Sequence, residues 1–75
     1  MTPNEIAYII RTCRKQSGLS QKDLAKLAGV GKTAVFDIEK AKTTVQLNTL
    51  VKVCNILNIR LILIPPFELP TENNL

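Results

Sequence analysis

The sequence predicts a mostly α domain closed by one short C-terminal β-strand. Three observations predict it. Apolar residues recur at helical spacing in four stretches, each bounded by capping or turn residues. Two of those stretches are short and meet through Ala28-Gly29-Val30-Gly31. After the fourth, the pattern changes to Ile59-Arg60-Leu61-Ile62-Leu63-Ile64, an apolar, Ile-rich run that Pro65-Pro66 ends.

Thr2-Pro3-Asn4-Glu5 starts the first helix. Thr2 caps it, Pro3 suits the first helical position, and Glu5 completes a T-x-x-E capping box. Ile6, Ile9, Ile10 and Cys13 follow as its apolar stripe, and Ser17-Gly18 ends it. Cys13 reads as a small buried hydrophobe. Ser20 caps a second helix, with Asp23 at the positive end of its dipole. Leu24, Leu27 and Ala28 read as its inner stripe, and Gly29 stops it.

A third helix runs from about Lys32 to Lys40. Val35 and Ile38 point inward with Ala34 beside them. At about 100° per residue, Lys32, Thr33, Phe36, Asp37 and Lys40 fall on the opposite face. Lys42-Thr43-Thr44-Val45-Gln46 connects to a fourth helix, from about Leu47 to Leu57, with Leu47, Leu50, Val51, Cys54 and Leu57 as its stripe. Cys54 reads as core.

Residues 59–64 have two readings, a strand or an extension of the fourth helix. Asn58, the Ile content and Pro65 favour the strand. One apolar strand is an exposed edge. Pairing with the same strand of a second copy, in a two-fold dimer, closes it. Residues 1–64 then form the domain and residues 65–75 a flexible tail, in which Phe67 is a candidate partner contact.

Composition excludes much. The chain has 75 residues, no His, two Cys and no Trp. A chain this short buries about 60% of its unfolded surface, so a partner subunit is the expected source of added stability. Two Cys without His cannot close a four-ligand zinc site of Cys and His, and no imidazole is present for Ser-His or Cys-His catalysis. With no paired-carboxylate cleft either, an enzyme is the least favoured class. No apolar stretch reaches the roughly 18 residues of a membrane span. Met1-Thr2-Pro3-Asn4-Glu5 lacks the basic start and apolar run of a signal peptide. A cytoplasmic protein with reduced thiols is expected, with no membrane contact, cofactor, metal or small-molecule ligand.

Charge points to a partner. Lys and Arg number 10 against 6 Asp and Glu, a net +4. The whole excess lies in residues 1–42, where eight cations face four carboxylates. A basic excess on one part of a small domain favours a polyanion. The second and third helices, joined through the glycine turn, make a helix-turn-helix. Ala25 is small where the two cross. The third helix projects its exposed N-terminal half, and a helix fits the major groove of B-DNA. Both helix N-termini can aim backbone N–H groups at phosphates.

Leu19-Ser20-Gln21-Lys22-Asp23-Leu24-Ala25, Leu27-Ala28-Gly29-Val30, Val35 and Ile38-Glu39 resemble the Cro/C1 or XRE-type helix-turn-helix family. The resemblance covers roughly residues 5–57. It implies a four- to five-helix, lambda repressor-like domain. Thr43-Thr44-Val45-Gln46-Leu47-Asn48-Thr49-Leu50, followed by Ile59 to Ile64, is similar to small HipB-type antitoxins. That similarity implies a short strand pairing across a homodimer, autorepression at an operator, and binding to a HipA-type kinase toxin.

The resemblance also implies residue roles. Gln21 matches the position that contacts a phosphate or an adjacent base. Lys32 and Thr33 match the base-reading start of the recognition helix. Lys32 can bond guanine O6/N7, and the Thr33 methyl can meet a thymine methyl. Phe36 is either a thymine-methyl contact or an internally packed ring. Lys40 and Lys42, with Lys22, are expected on phosphates. Arg14 and Glu39 match a structural salt bridge between the first and third helices. Asp37 departs from the expected surface: it either accepts from cytosine N4 or is a solvated residue or partner of Lys40. Gly31 stands where a side-chain cap is usual, and Lys40-Ala41-Lys42 replaces a glycine-containing turn.

A dimer would bridge half-sites about 34 Å apart, so the double-stranded operator is expected to be an inverted repeat. The leading expectation is a dimeric DNA-binding antitoxin and autorepressor. A stand-alone repressor shares every residue of the motif. A helix-turn-helix module that binds protein instead of DNA is the third reading, favoured by Asp37 and the modest charge.

Overall fold

A computed structural model describes residues 1–72. Four helices are present: α1 (Pro3–Gln16), α2 (Gln21–Ala28), α3 (Lys32–Glu39) and α4 (Leu47–Ile56). Among the described residues there is no fifth helix and no strand.

The helix starts follow the local chemistry of the chain. Thr2 Oγ1 accepts from the Glu5 N–H at 3.2 Å, and Pro3 occupies the first turn of α1. At α2 the box is reciprocal: Ser20 Oγ accepts from the Asp23 N–H at 3.0 Å, while the Ser20 N–H donates to Asp23 Oδ2 at 3.1 Å. That backbone hydrogen bond from Ser20, then the one from its hydroxyl, holds the Asp23 carboxyl below its usual range.

All four helices end in one pattern. A residue in the left-handed region follows the last turn, and the next N–H reaches back five residues. Gly18 (φ 73°) and Gly29 (φ 69°) take this place after α1 and α2. Leu19 N–H then bonds Arg14 O at 3.2 Å, and Val30 N–H bonds Ala25 O at 3.0 Å. After α3 the left-handed residue is Ala41 (φ 59°), with Lys42 N–H on Asp37 O at 3.1 Å. After α4 it is Asn58 (φ 58°), with Ile59 N–H on Cys54 O at 2.9 Å. Glycine and asparagine tolerate that conformation, whereas alanine is strained in it.

The core joins Ile10 of α1, Leu24 and Ala25 of α2, Val35 and Ile38 of α3, and Val53 and Cys54 of α4. α3 packs against α1, α2 and α4, and α2 also packs against α4. Ala25 is buried where a larger side chain would push the helices apart. Burial raises the Cys54 thiol pKa, with Cys13 adding to the effect. Both cysteines are free, Cys54 buried and Cys13 half-buried.

Several stripe residues differ from expectation. Leu27 is 58% exposed and Ile9 44% exposed. On α2 the buried pair Leu24 and Ala25 sets the inward direction, and Leu27 lies about 100° from its centre. On α1, Ala7 and Ile10 define the inward line and turn Ile9 aside. On α4, Val53 and Cys54 are buried, so Leu47 and Val51 at the stripe's edge remain exposed.

The strand expected over 59–64 does not form within the chain. Nor does α4 continue, because Asn58 turns the backbone and Ile59 closes the last carbonyls. A ladder needs a second strand, and the described residues supply none. Ile59 packs on the core, while Leu63 and Ile64 are almost fully exposed. Residues 65–72 of the expected tail have no regular structure beyond a bend at 66–67, with Phe67 and Leu69 exposed. The remainder of that tail, 73–75, lies outside the described residues.

Candidate functional site

α3 has two unlike faces. Val35, Ile38 and Glu39 are buried, whereas Lys32, Thr33, Phe36 and Lys40 lie outward. Gly31 starts the helix without a side-chain cap. The Lys32 and Thr33 amides, first in the helix, have no intrahelical acceptor. Phe36 keeps 41% of its surface exposed, and Lys40 Nζ sits 5.5 Å from the ring centroid. A cation–π contact at an exposed site contributes about 0.5–1 kcal/mol, so it holds Lys40 near the ring without locking it.

Gln21, Lys32, Thr33 and Phe36 line one open depression. The glycine turn makes this possible. It brings the first residue of α2 beside the first turn of α3, although 11 positions separate Gln21 from Lys32. The depression offers amide, ammonium, hydroxyl and aromatic groups in one patch. These are the functional groups that read base edges and thymine methyls.

Gln21 does not stand free. Its Nε2 donates to Glu39 Oε1 at 3.3 Å. Glu39 in turn accepts from Arg14: Nε to Oε2 at 2.7 Å and Nη2 to Oε1 at 2.8 Å. Arg14 Nη1 also donates to the Leu19 carbonyl at 2.9 Å. Both partners are buried, and the bidentate geometry with added hydrogen bonds is what makes such burial tolerable. Burial alone would raise the Glu39 carboxyl. The hydrogen bonds from Arg14 and Gln21, with the charges of Arg14 and Arg11, outweigh it and hold the group below its usual range. The bond to Glu39 raises Arg14 further. The pair therefore joins α1 to α3 and carries Gln21 with it.

Asp37 and Lys42 lie apart from that depression. Lys42 Nζ is 3.1 Å from Asp37 Oδ1, and the Lys42 N–H bonds the Asp37 carbonyl. Asp37 Oδ1 is shielded from solvent, and its ion pair lacks the alignment of a hydrogen bond. Asp37 thus partners Lys42 at the end of α3, while Lys40 turns to Phe36. Lys22 is exposed next to Gln21 and lines neither depression on this face.

A second depression adjoins the first and shares Gln21 and Phe36 with it. Arg11, Arg14 and Lys15 of α1 and Glu39 and Lys40 of α3 complete its lining. Arg11 and Lys15 were not among the site residues read from the sequence. Their signal was their spacing of four on α1, off the buried line of Ala7, Ile10 and Arg14. Between α4 and the segment that follows it, Arg60, Leu61 and Ile62 with Val51 and Asn55 line a further concavity. Among the described residues no cluster of His, Cys, Asp or Glu could hold a metal ion, and no helix is long and apolar enough to cross a membrane.

Comparison with known proteins agrees with this geometry. The helix-turn-helix family profile matches residues 10–64. An uncharacterized HTH-type transcriptional regulator of Sinorhizobium fredii is 34% identical over 67 residues, covering 89% of this chain and 88% of the relative. An HTH-type transcriptional regulator of Haemophilus influenzae is 43% identical over 54 residues, 72% of this chain and 55% of its own length. Among solved structures, a chain of a HipA–HipB–O2–O3 complex superposes with a TM-score of 0.78 at 24% identity, over 89% of this chain and 94% of that one. A chain of a HipB–O4 20mer complex gives 0.77 at the same identity and coverage.

Proposed function

The chain belongs to the helix-turn-helix family, and on that premise we propose that it is a dimeric, sequence-specific autorepressor that also serves as antitoxin to a HipA-type kinase. The family and the named relatives make it an XRE-type DNA-binding transcriptional regulator. The observation that carries the DNA reading is the depression where Gln21 meets Lys32, Thr33 and Phe36. Lys32 and Thr33 read base edges from the major groove, Gln21 contacts a phosphate or a flanking base, and Lys40 and Lys22 hold phosphates. Lys42 joins them by leaving Asp37, and that carboxylate is then positioned to accept from cytosine N4.

Dimerisation runs through residues 59–64. Their backbone has no ladder partner among the described residues, and Leu61, Ile62, Leu63 and Ile64 are exposed. Pairing Ile59-Arg60-Leu61-Ile62-Leu63-Ile64 with the same segment of a second copy satisfies that edge and buries those side chains. Two recognition helices related by a two-fold axis read an inverted repeat.

The toxin partner is supported by the shared fold with HipB, which is solved in a HipA–HipB–O2–O3 complex and in a HipB–O4 20mer complex. A stand-alone repressor is the second reading, favoured by relatives named transcriptional regulators. One experiment separates the two. The tagged protein is expressed from its native operon, and co-purifying chains are identified by mass spectrometry. A stoichiometric kinase-like partner supports the antitoxin. Specific operator binding without such a partner leaves the stand-alone repressor.

A further inference from the structure

The exposed α1 cations of the second depression, Arg11 and Lys15, have no place in the reading above. Resting on the DNA-binding function proposed above, we propose that Arg11 and Lys15 of α1, together with Lys40 of α3, form a site for DNA backbone phosphates flanking the bases read by α3.

Charge is the first support. Four cations and one carboxylate line the depression, a net +3. The carboxylate is fully engaged, since Glu39 accepts two bonds from Arg14 and one from Gln21. Arg14 is buried and committed to Glu39 and the Leu19 carbonyl. Arg11, Lys15 and Lys40 are exposed and enter no salt bridge among the described residues. They are the cations left to meet an external anion.

Placement is the second support. The depression shares Gln21 and Phe36 with the one lined by Lys32 and Thr33. A duplex seated on the start of α3 therefore runs on towards α1. Arg11 and Lys15 lie one helical turn apart and face the same way. The influence of Arg11 on Glu39 places its charge at this rim. From α1 the depression is lined by Arg11, Arg14 and Lys15 alone, side chains that donate and carry no acceptor. It can hold phosphate but cannot discriminate bases.

The test compares operator affinity with that of the double variant Arg11→Ala/Lys15→Ala across salt concentrations. Each lost phosphate contact lowers the slope of log K against log salt by about 0.9. Two lost contacts in each protomer, four in the dimer, shrink the affinity loss between 50 and 200 mM salt by about a hundredfold. The ranking of single-base-pair operator changes stays as in the wild type. Arg11→Lys/Lys15→Arg retains the slope, and Lys26→Ala/Lys52→Ala, with the same net charge as the double alanine variant, changes it far less.

A double alanine variant that keeps the wild-type slope overturns the proposal, as does one matched by the Lys26→Ala/Lys52→Ala control. If the slope stays but a co-purifying protein is lost, the patch belongs to that protein and the proposal is overturned. A wild type that binds no duplex overturns the DNA reading itself, a result distinct from either of these.

Discussion

Gln21 Nε2 donates to Glu39 Oε1 at 3.3 Å, which fastens the first residue of α2 to the last residue of α3. Arg14 braces the same carboxylate from α1. Three helices thus meet at one buried group, and a side chain of the depression at the start of α3 is held by it. Glu39→Ala leaves Arg14 buried without its partner, which costs about 3–5 kcal/mol. In a domain this small each kcal/mol lowers Tm by roughly 4–8 °C. The expected result is a Tm lower by more than 10 °C, or outright unfolding, in a thermal melt followed by circular dichroism. A loss of only a few degrees would show the pair to be dispensable.

The same carboxylate sets an acid limit. Glu39 is held below its ordinary value of 4.5 when folded. Its contribution to stability is complete above that ordinary value. As pH falls, the unfolded chain binds the proton first, and the contribution is lost through the lower folded value. Urea midpoints should therefore fall as pH drops below about 4.5, and fall less steeply in Glu39→Gln. Parallel slopes for the two proteins would assign acid sensitivity to other carboxylates, such as Asp23.

Ala41 is the strained member of the four helix ends. A left-handed alanine costs about 1–2 kcal/mol, and glycine returns about 0.4–1 of that through unfolded-state entropy. Ala41→Gly should stabilise by roughly 0.5–1 kcal/mol, a Tm rise of about 3–6 °C. Asn58→Gly, at a residue type that accepts this conformation, should change Tm little. A fall in Tm for Ala41→Gly would mean that the methyl group packs better than the backbone is strained.

These residues also show what the sequence could disclose. Caps were readable because Thr2, Ser20, Gly18 and Gly29 act on backbone groups within a few positions. The outward face of α3 was readable because helix geometry alone separates Lys32, Thr33 and Phe36 from Val35 and Ile38. Stripe edges were not. Whether Ile9, Leu27, Leu47 or Val51 is covered depends on which neighbours pack there, and that is a long-range property. The Asp37–Lys42 pairing required knowing that Ala41 turns left-handed and brings position 42 back over α3. The strand segment needs a second chain, which no single sequence contains.

That second chain has a direct test. Ending the protein before Ile59 removes the proposed pairing segment but none of α1 to α4. The truncated protein should run as a monomer by light scattering at micromolar concentration and lose operator affinity together with dimerisation. A truncated protein that stays fully dimeric would defeat cross-chain pairing. The exposed Leu47 and Val51 of α4 would then be the surface to examine.

Phe36 separates packing from recognition. Its ring is partly exposed, with the Lys40 ammonium over its face. Phe36→Ala should therefore cost about 1–2 kcal/mol of stability, from the half-buried ring and from a cation–π contact worth about 0.5–1 at an exposed site. Operator affinity should fall more than that. Lys32→Ala should lose about 1–3 kcal/mol of discrimination at one base pair, with preferences elsewhere unchanged. Lys22→Ala, at a proposed phosphate contact, should instead weaken all sequences alike and reduce the salt slope by about two, one for each protomer of the dimer. Melts and anisotropy titrations on the same four proteins decide the matter. If Phe36→Ala melts far below the wild type while the folded fraction binds operator normally, the ring belongs to the core and not to the groove. If Lys32→Ala weakens every sequence equally, its ammonium lies on a phosphate, and base reading passes to Thr33 and Gln21.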